Sequence, residues 1–101
     1  THKVYTIEIG DRRISVDYND ILFFETSSNI HKVILHAKDR QIEFSSTIKE
    51  LEKILDDTFV RCHRSFLVNK SNIQEIDTKN RIIYFINGET CLMSTRMMKS
   101  F

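Results

Sequence analysis

The sequence predicts a mainly β protein with one helix, because three patterns occur along its 101 residues. Short segments of alternating apolar and polar residues, typical of strands with one buried face, are separated by polar turn residues. One segment, residues 46–55, has the apolar spacing of a helix. The dipeptide Asn87-Gly88 separates two apolar segments, as it commonly does in β-hairpins.

The strand pattern occurs at residues 4–9, 13–18, 21–26, 30–36, 41–44, 81–86 and 89–94. The segment at 21–26 begins with four consecutive apolar residues, so we expect this strand to be covered on both faces. Asn87-Gly88 predicts a two-residue type I′ turn between the last two strands. A shorter strand at 74–77 is expected to pair with 81–86 through a turn at Lys79-Asn80.

The helix at 46–55 has a clear start signal. Thr47 is followed three residues later by Glu50, which is the capping-box pattern. The apolar residues of the segment are expected to form one stripe that packs on a sheet. They are Ile48, Leu51, Ile54 and Leu55.

Length and composition indicate one globular domain, for which we take residues 1–101. Apolar residues make up 41% of the chain and charged residues 29%, which suits a globular protein rather than a disordered one. No segment has the ~18–20 apolar residues of a membrane span, and no secretory leader is visible, so a cytoplasmic location is expected. Because the chain begins with Thr1, we expect it to be a fragment of a longer protein.

Charge is distributed unevenly along the chain. Residues 1–57 carry 8 basic and 11 acidic side chains, whereas residues 58–101 carry 7 basic and 3 acidic ones. The C-terminal part is therefore the one suited to an anionic partner.

Catalysis and metal binding are not expected. Cys62 precedes His63, but neighbouring residues on a strand point to opposite faces and do not form a nucleophile–base pair. The histidines and cysteines show none of the close spacings of zinc ligands, and no glycine-rich phosphate loop is present. The prediction is a protein that is not an enzyme and that has no cofactor.

Three clusters of basic and hydrogen-bonding residues favour DNA binding. They lie at 27–32 (SSNIHK), 61–65 (RCHRS) and 94–99 (STRMMK). Arginine, histidine and asparagine bond base edges, whereas lysine, serine and threonine contact phosphates. The residues alone leave two alternatives open, which are ordinary solvated turns and a β-rich protein-interaction module with a basic edge.

Long stretches of the sequence resemble one family, the LytTR DNA-binding domain. They are YNDILFFETSSNIHKVILH at 18–36, RQIEF at 40–44 and STIKELEKILDDTFVRCHRSFLVNKSNIQEI at 46–76. The resemblance implies about ten short strands in stacked antiparallel sheets with one helix. It also implies that loops enter successive major grooves of double-stranded DNA at tandem direct repeats in promoters.

The resemblance assigns roles to residues of the three clusters. His31, Arg64 and Arg96 match positions that contact bases, and Arg64, where many relatives have Asn, is expected to bond either guanine or phosphate. Backbone contacts are expected from Asn29, Lys32, Arg61, His63, Ser65, Ser94, Thr95 and Lys99.

The resemblance also implies the wider context of the domain. By this resemblance the chain is expected to come from a response regulator that activates quorum-sensing and virulence-type genes. The expected partners are promoter DNA, RNA polymerase indirectly, and a sensor kinase that acts through a receiver domain absent from this chain.

Cys62 and Cys91 form a candidate redox pair. If their strands are neighbours, a disulfide between them would distort two DNA-binding loops. The alternative is that both are small buried residues in a reducing compartment.

Overall fold

The structure is a computed structural model and describes residues 3–96. In this part of the chain there are ten strands and one α-helix, and two short 3₁₀ turns at Tyr18–Asp20 and Lys70–Asn72. The elements are β1 (Val4–Ile9), β2 (Arg12–Asp17), β3 (Ile21–Thr26), β4 (Lys32–Ala37), β5 (Gln41–Ser45), α1 (Ile48–Ile54), β6 (Phe59–His63), β7 (Phe66–Asn69), β8 (Ile73–Asp77), β9 (Ile82–Phe85) and β10 (Thr90–Leu92). Among residues 3–96, no helix has the length and apolar character needed to cross a membrane.

The strands form three antiparallel sheets. A five-stranded sheet has the order β5-β4-β3-β7-β6, β1 pairs with β2, and a three-stranded sheet has the order β10-β9-β8. The predicted mainly β class with one helix is therefore confirmed, as is the pairing of β8 with β9.

The five-stranded sheet is the central layer, because apolar side chains cover both of its faces. On one face, a core cluster joins this sheet to β1, β2 and α1. On the other face, a second cluster joins it to β9 and to residues around β10. The predicted double coverage of β3 is confirmed. Ile21 and Phe24 belong to the first cluster, and Leu22 and Phe23 to the second, because a register shift in the pairing with β4 breaks the strict alternation.

Helix α1 begins two residues later than the pattern predicts. The Oγ1 atom of Thr47 accepts a hydrogen bond of 3.2 Å from the backbone N–H of Glu50, which confirms the N-cap. The apolar stripe was predicted wrongly at Ile54, which is 63% exposed. At 100° per residue, Ile54 lies well to one side of the line through the buried Ile48, Leu51 and Leu55.

The hairpin at Asn87-Gly88 is confirmed, but its turn type was predicted wrongly. A type I′ turn needs a positive φ at both central residues, and within this dipeptide only Gly88 has one, at 92°. Gly88 N–H donates to the Phe85 carbonyl at 3.0 Å, and Phe85 N–H donates to the Glu89 carbonyl at 2.9 Å. The connection is therefore a three-residue loop that ends in a left-handed glycine.

Two buried asparagines close one end of the central sheet. The Asn69 Nδ2 group donates to the carbonyls of Tyr18 (2.9 Å) and Ile21 (2.8 Å). The Asn72 Nδ2 group donates to the carbonyls of Asn19 (2.9 Å) and Ile21 (2.7 Å). The two amides thus supply hydrogen-bond donors to backbone carbonyls where the chain enters β3. Buried carbonyls need such donors, because leaving them unpaired destabilises a fold.

We expect Asn69→Ala to lower the free energy of unfolding by about 1–3 kcal/mol, because it removes the hydrogen bonds to the Tyr18 and Ile21 carbonyls and leaves the Ser71 N–H without its acceptor. Urea denaturation followed by circular dichroism measures the change. The matched control is Asn19→Ala at an exposed position, for which the expected change is within about 0.5 kcal/mol. Equal stability of the two variants would contradict a structural role for the Asn69 amide.

Candidate nucleic-acid interface

The three polar clusters lie at one end of the central sheet, opposite the asparagine pair. The β3–β4 loop and the β6–β7 turn are neighbours, since Thr26 N–H donates to the Ser65 carbonyl at 2.9 Å. The segment after β10 joins them, since Ser94 N–H donates to the Cys62 carbonyl at 2.7 Å. The predicted contact residue Lys99 lies outside the described residues, so the third cluster is represented by 94–96.

The β3–β4 loop ends in a four-residue turn with a well-defined tip. Lys32 N–H donates to the Asn29 carbonyl at 3.3 Å, which leaves Ile30 and His31 at the tip. His31 has a φ of 59°, in the left-handed region that non-glycine residues seldom adopt. The His31 carbonyl accepts from Ser46 N–H at 3.1 Å, so the tip is tied to the start of the helical segment.

Glu43, on the neighbouring strand β5, fixes the same loop through its carboxylate. Its carboxylate accepts from the Ser27 hydroxyl and from the Asn29 side-chain amide, the latter at 3.0 Å. These hydrogen bonds hold the pKa of Glu43 below its usual value. The side-chain amide of Asn29 therefore makes an intramolecular hydrogen bond, although the residue is exposed. The sequence pattern gave no reason to expect this contact.

A β-bulge lies within the cluster at 61–65. Arg61 pairs with Leu67 and His63 pairs with Phe66, which leaves Cys62 as the extra residue of β6. The Cys62 side chain is fully buried in the second core cluster. Its carbonyl is the acceptor for Ser94 N–H, so the bulge is also the point where the C-terminal segment attaches.

The side chains of Arg61 and His63 are occupied in shaping the β6–β7 turn. Arg61 donates from Nη2 to the Arg64 carbonyl at 2.8 Å, and its Nη1 lies 3.4 Å from Glu52 Oε1. His63 Nδ1 accepts from Ser65 N–H at 3.1 Å. Arg64, at the tip of the turn, is exposed.

Arg81 joins the third cluster, although the sequence analysis did not select it. Its Nη1 atom donates to the Thr95 hydroxyl at 2.6 Å, and its carbonyl accepts from Met93 N–H at 2.9 Å. Arg81 has a φ of 57°, which reflects the turn predicted at Lys79-Asn80 just before it. That turn was the one available sequence signal. Arg96 follows Thr95 and is exposed.

An open depression of about 340 Å³ separates the β6–β7 turn from the third cluster. Its lining includes His63, Arg81, Leu92, Ser94 and Thr95. Polar and basic groups therefore continue from one cluster to the next. Within residues 3–96, no group of three or more His, Cys, Asp or Glu residues is arranged to hold a metal ion.

The two cysteines are close together beneath this surface. The Cys62 Sγ atom lies 3.9 Å from the Cys91 Sγ atom, and both residues are buried. Their mutual hydrogen bond and the burial of the site raise the pKa of the Cys91 thiol. The two thiols are therefore close across the second core cluster, although β6 and β10 belong to different sheets.

Comparison with known proteins gives consistent matches. The family model described as "LytTr DNA-binding domain" matches residues 11–101. The chain is 50% identical over 98 residues to accessory gene regulator protein A of Staphylococcus epidermidis, covering 95% of this chain and 41% of that protein. It is also 50% identical over 100 residues to accessory gene regulator protein A of Staphylococcus aureus, covering 97% of this chain and 42% of that protein. The chain thus spans about two fifths of the length of these relatives.

A solved structure has the same fold. It is the LytTr DNA-binding domain of a methyl-accepting/DNA response regulator from Bacillus cereus, with a TM-score of 0.80 and 28% identity. The match covers 97% of this chain and 92% of that one. On the family match, on the relatives and on this shared fold, the chain belongs to the LytTR family of DNA-binding domains.

Proposed function

We propose that the chain binds double-stranded DNA in a sequence-specific manner, as the DNA-reading domain of a transcription factor. The observation that supports this most directly is the convergence of three polar loops at one end of the central sheet. Loops held on a rigid sheet present hydrogen-bonding groups with little loss of entropy on binding.

The order of the loops along the sheet supports a division of roles. The β3–β4 loop and the segment 94–96 are the outer two, and the β6–β7 turn lies between them. His31 and Arg96 then contact bases in successive major grooves, where arginine bonds guanine and histidine bonds base edges. Arg64, between them, contacts guanine or the phosphates of the intervening backbone.

The remaining predicted residues divide into two groups. Lys32, Ser65, Ser94, Thr95 and Lys99 are assigned to the DNA backbone, where they would fix register without reading sequence. Asn29, Arg61 and His63 were assigned to the backbone as well, but their intramolecular hydrogen bonds favour a role in positioning the loops.

The wider context is proposed from the relatives named accessory gene regulator protein A. The chain would be the C-terminal domain of a cytoplasmic response regulator in quorum sensing. A sensor kinase would control it through an N-terminal receiver domain. Bound at tandem direct repeats in promoters, the protein would activate virulence-type genes by acting indirectly on RNA polymerase.

The alternative is a β-rich protein-interaction module with a basic edge. Salt dependence and sequence preference separate the two functions. Each phosphate neutralised by the protein gives a slope of about −0.9 in log K against log salt. A surface that recognises protein would show no preference between duplexes, and its basic edge would bind DNA only weakly.

We expect the domain to bind a labelled promoter duplex that carries a tandem direct repeat more tightly than a scrambled duplex of equal length. Fluorescence anisotropy at two salt concentrations measures both affinities. The affinity for the repeat should fall as salt rises, while the preference over the scrambled duplex persists. Equal and weak binding to both duplexes, abolished by salt, would favour the interaction module instead.

We expect Arg96→Ala and His31→Gly each to reduce the preference for the repeat by about 1–3 kcal/mol in the same assay. Glycine is chosen at position 31 because it adopts the φ of 59° without strain, so the variant should keep its thermal stability. The control is Arg12→Ala, an exposed arginine on β2 in the outer hairpin, which should bind as the unmodified domain does. An unchanged preference in Arg96→Ala would remove that residue from the base contacts.

A redox response is a second candidate function, favoured by the separation of 3.9 Å between the two thiols. Hydrogen peroxide would oxidise one thiol to a sulfenic acid and release water. The other thiol would then displace a second water and close the disulfide. The sulfur atoms must approach to about 2.05 Å, which displaces β6 at the bulge where Ser94 attaches.

We expect peroxide treatment to form an intramolecular disulfide slowly at neutral pH, because the raised pKa of Cys91 limits its thiolate fraction. Mass spectrometry without reductant should show the loss of two hydrogens, and DNA affinity should fall and return with dithiothreitol. Cys91→Ser is the control and should keep its affinity after the same treatment. Two free thiols after oxidation, or unchanged DNA affinity of the oxidised domain, would remove the redox function.

A further inference from the structure

One exposed side chain at the proposed interface is apolar. Ile30 is 82% exposed, whereas the other exposed large apolar side chains of residues 3–96 are between 41% and 63% exposed. Single apolar residues are common on protein surfaces, so exposure alone means little. The place of Ile30 is what matters, because it lies at the tip of the β3–β4 loop beside His31, with polar or basic residues on either side.

The exposure of Ile30 does not result from a loose loop. Ser27 N–H donates to the Lys32 carbonyl at 3.0 Å, Asn29 N–H donates to the Ser27 hydroxyl at 3.0 Å, and Glu43 holds both polar side chains. The turn is therefore ordered, and it keeps the Ile30 side chain exposed to solvent.

Turn formation does not explain the isoleucine either. Turn tips favour Gly, Pro, Asn, Asp and Ser, each for a backbone reason, and a β-branched apolar residue supplies none of them. His31 next to it has a left-handed φ of 59°, and such strained residues occur most often where a loop serves a binding function. Two unfavourable choices at one tip point to a contact made by both side chains.

We propose that Ile30 packs against the C5-methyl group of a thymine, next to the base that His31 contacts. In the major groove, thymine presents an apolar methyl group, and apolar side chains are its natural partners. Ile30 would thereby determine sequence preference at one base pair by contact, while His31 bonds the neighbouring base edge. This inference rests on the proposed DNA-binding function and adds a specificity-determining residue to it.

The test uses a duplex selected by the domain from a randomised library, in which each thymine is then replaced singly by deoxyuridine. This replacement removes the methyl group and leaves the hydrogen-bonding edge unchanged. We expect one position to weaken binding by about fourfold, as removal of one buried methyl group predicts. In Ile30→Ala that position should no longer respond, because the methyl group has lost its partner, while Ile30→Val should keep part of the response.

Ile86→Ala is the matched control. Ile86 is also an exposed isoleucine, at 47%, but its N–H donates to the Asn72 carbonyl at the opposite end of the central sheet. This variant should respond to deoxyuridine as the unmodified domain does. Equal melting temperatures of the three variants and the unmodified domain would show that folding is retained.

The outcomes separate this inference from the function on which it rests. Selective, salt-dependent binding with no deoxyuridine position that depends on Ile30 would overturn the thymine contact and leave DNA reading intact. A selected duplex without thymine would do the same. Failure of the selection to yield any preferred sequence would overturn the proposed function and the thymine contact together.

Discussion

Burial of β3 on both faces is the constraint on which the other layers depend. Four consecutive side chains, Ile21 to Phe24, are divided between two core clusters, so this strand joins both halves of the fold. The β1–β2 hairpin and α1 have an apolar surface to pack on only because the central sheet supplies it, and so has the three-stranded sheet on the other side. The β1–β2 hairpin alone would be marginal, since an isolated two-stranded hairpin is barely stable in water.

The two ends of the central sheet use their polar groups in different ways. At one end, the amides of Asn69 and Asn72 donate to backbone carbonyls and thereby close the structure. At the other end, Glu43, Arg61 and His63 form intramolecular hydrogen bonds that fix the loops, while His31, Arg64 and Arg96 are exposed. Fixed loops with exposed tips are what sequence-specific binding requires, because ordering a mobile loop would cost affinity.

Most of the fold was predictable from local sequence patterns. The alternating segments, the Thr47 cap and the double coverage of β3 follow from residues close together in sequence, and each was predictable. The bulge at Cys62 was not, because it depends on the register between β6 and β7. The three polar clusters were identified from the sequence, and the structure brings their described residues together at one end of the central sheet. The sequence did not reveal that Glu43 holds Asn29 or that Arg81 bonds Thr95, since each contact joins residues 14 positions apart through side-chain reach alone.

The hydrogen bond from Ser94 to the bulge carbonyl has a consequence for how such domains diverge. The segment 94–96 is hydrogen-bonded directly to the central sheet. Its position therefore does not depend on the length of the β9–β10 turn at the far end. Insertions at Asn87-Gly88 should be tolerated in evolution, since they extend a surface turn without altering the spacing between the loops at the other end. The same turn is a natural attachment point for a fluorescent label, whereas a one-residue deletion in β6 would move the β6–β7 turn relative to the neighbouring loops.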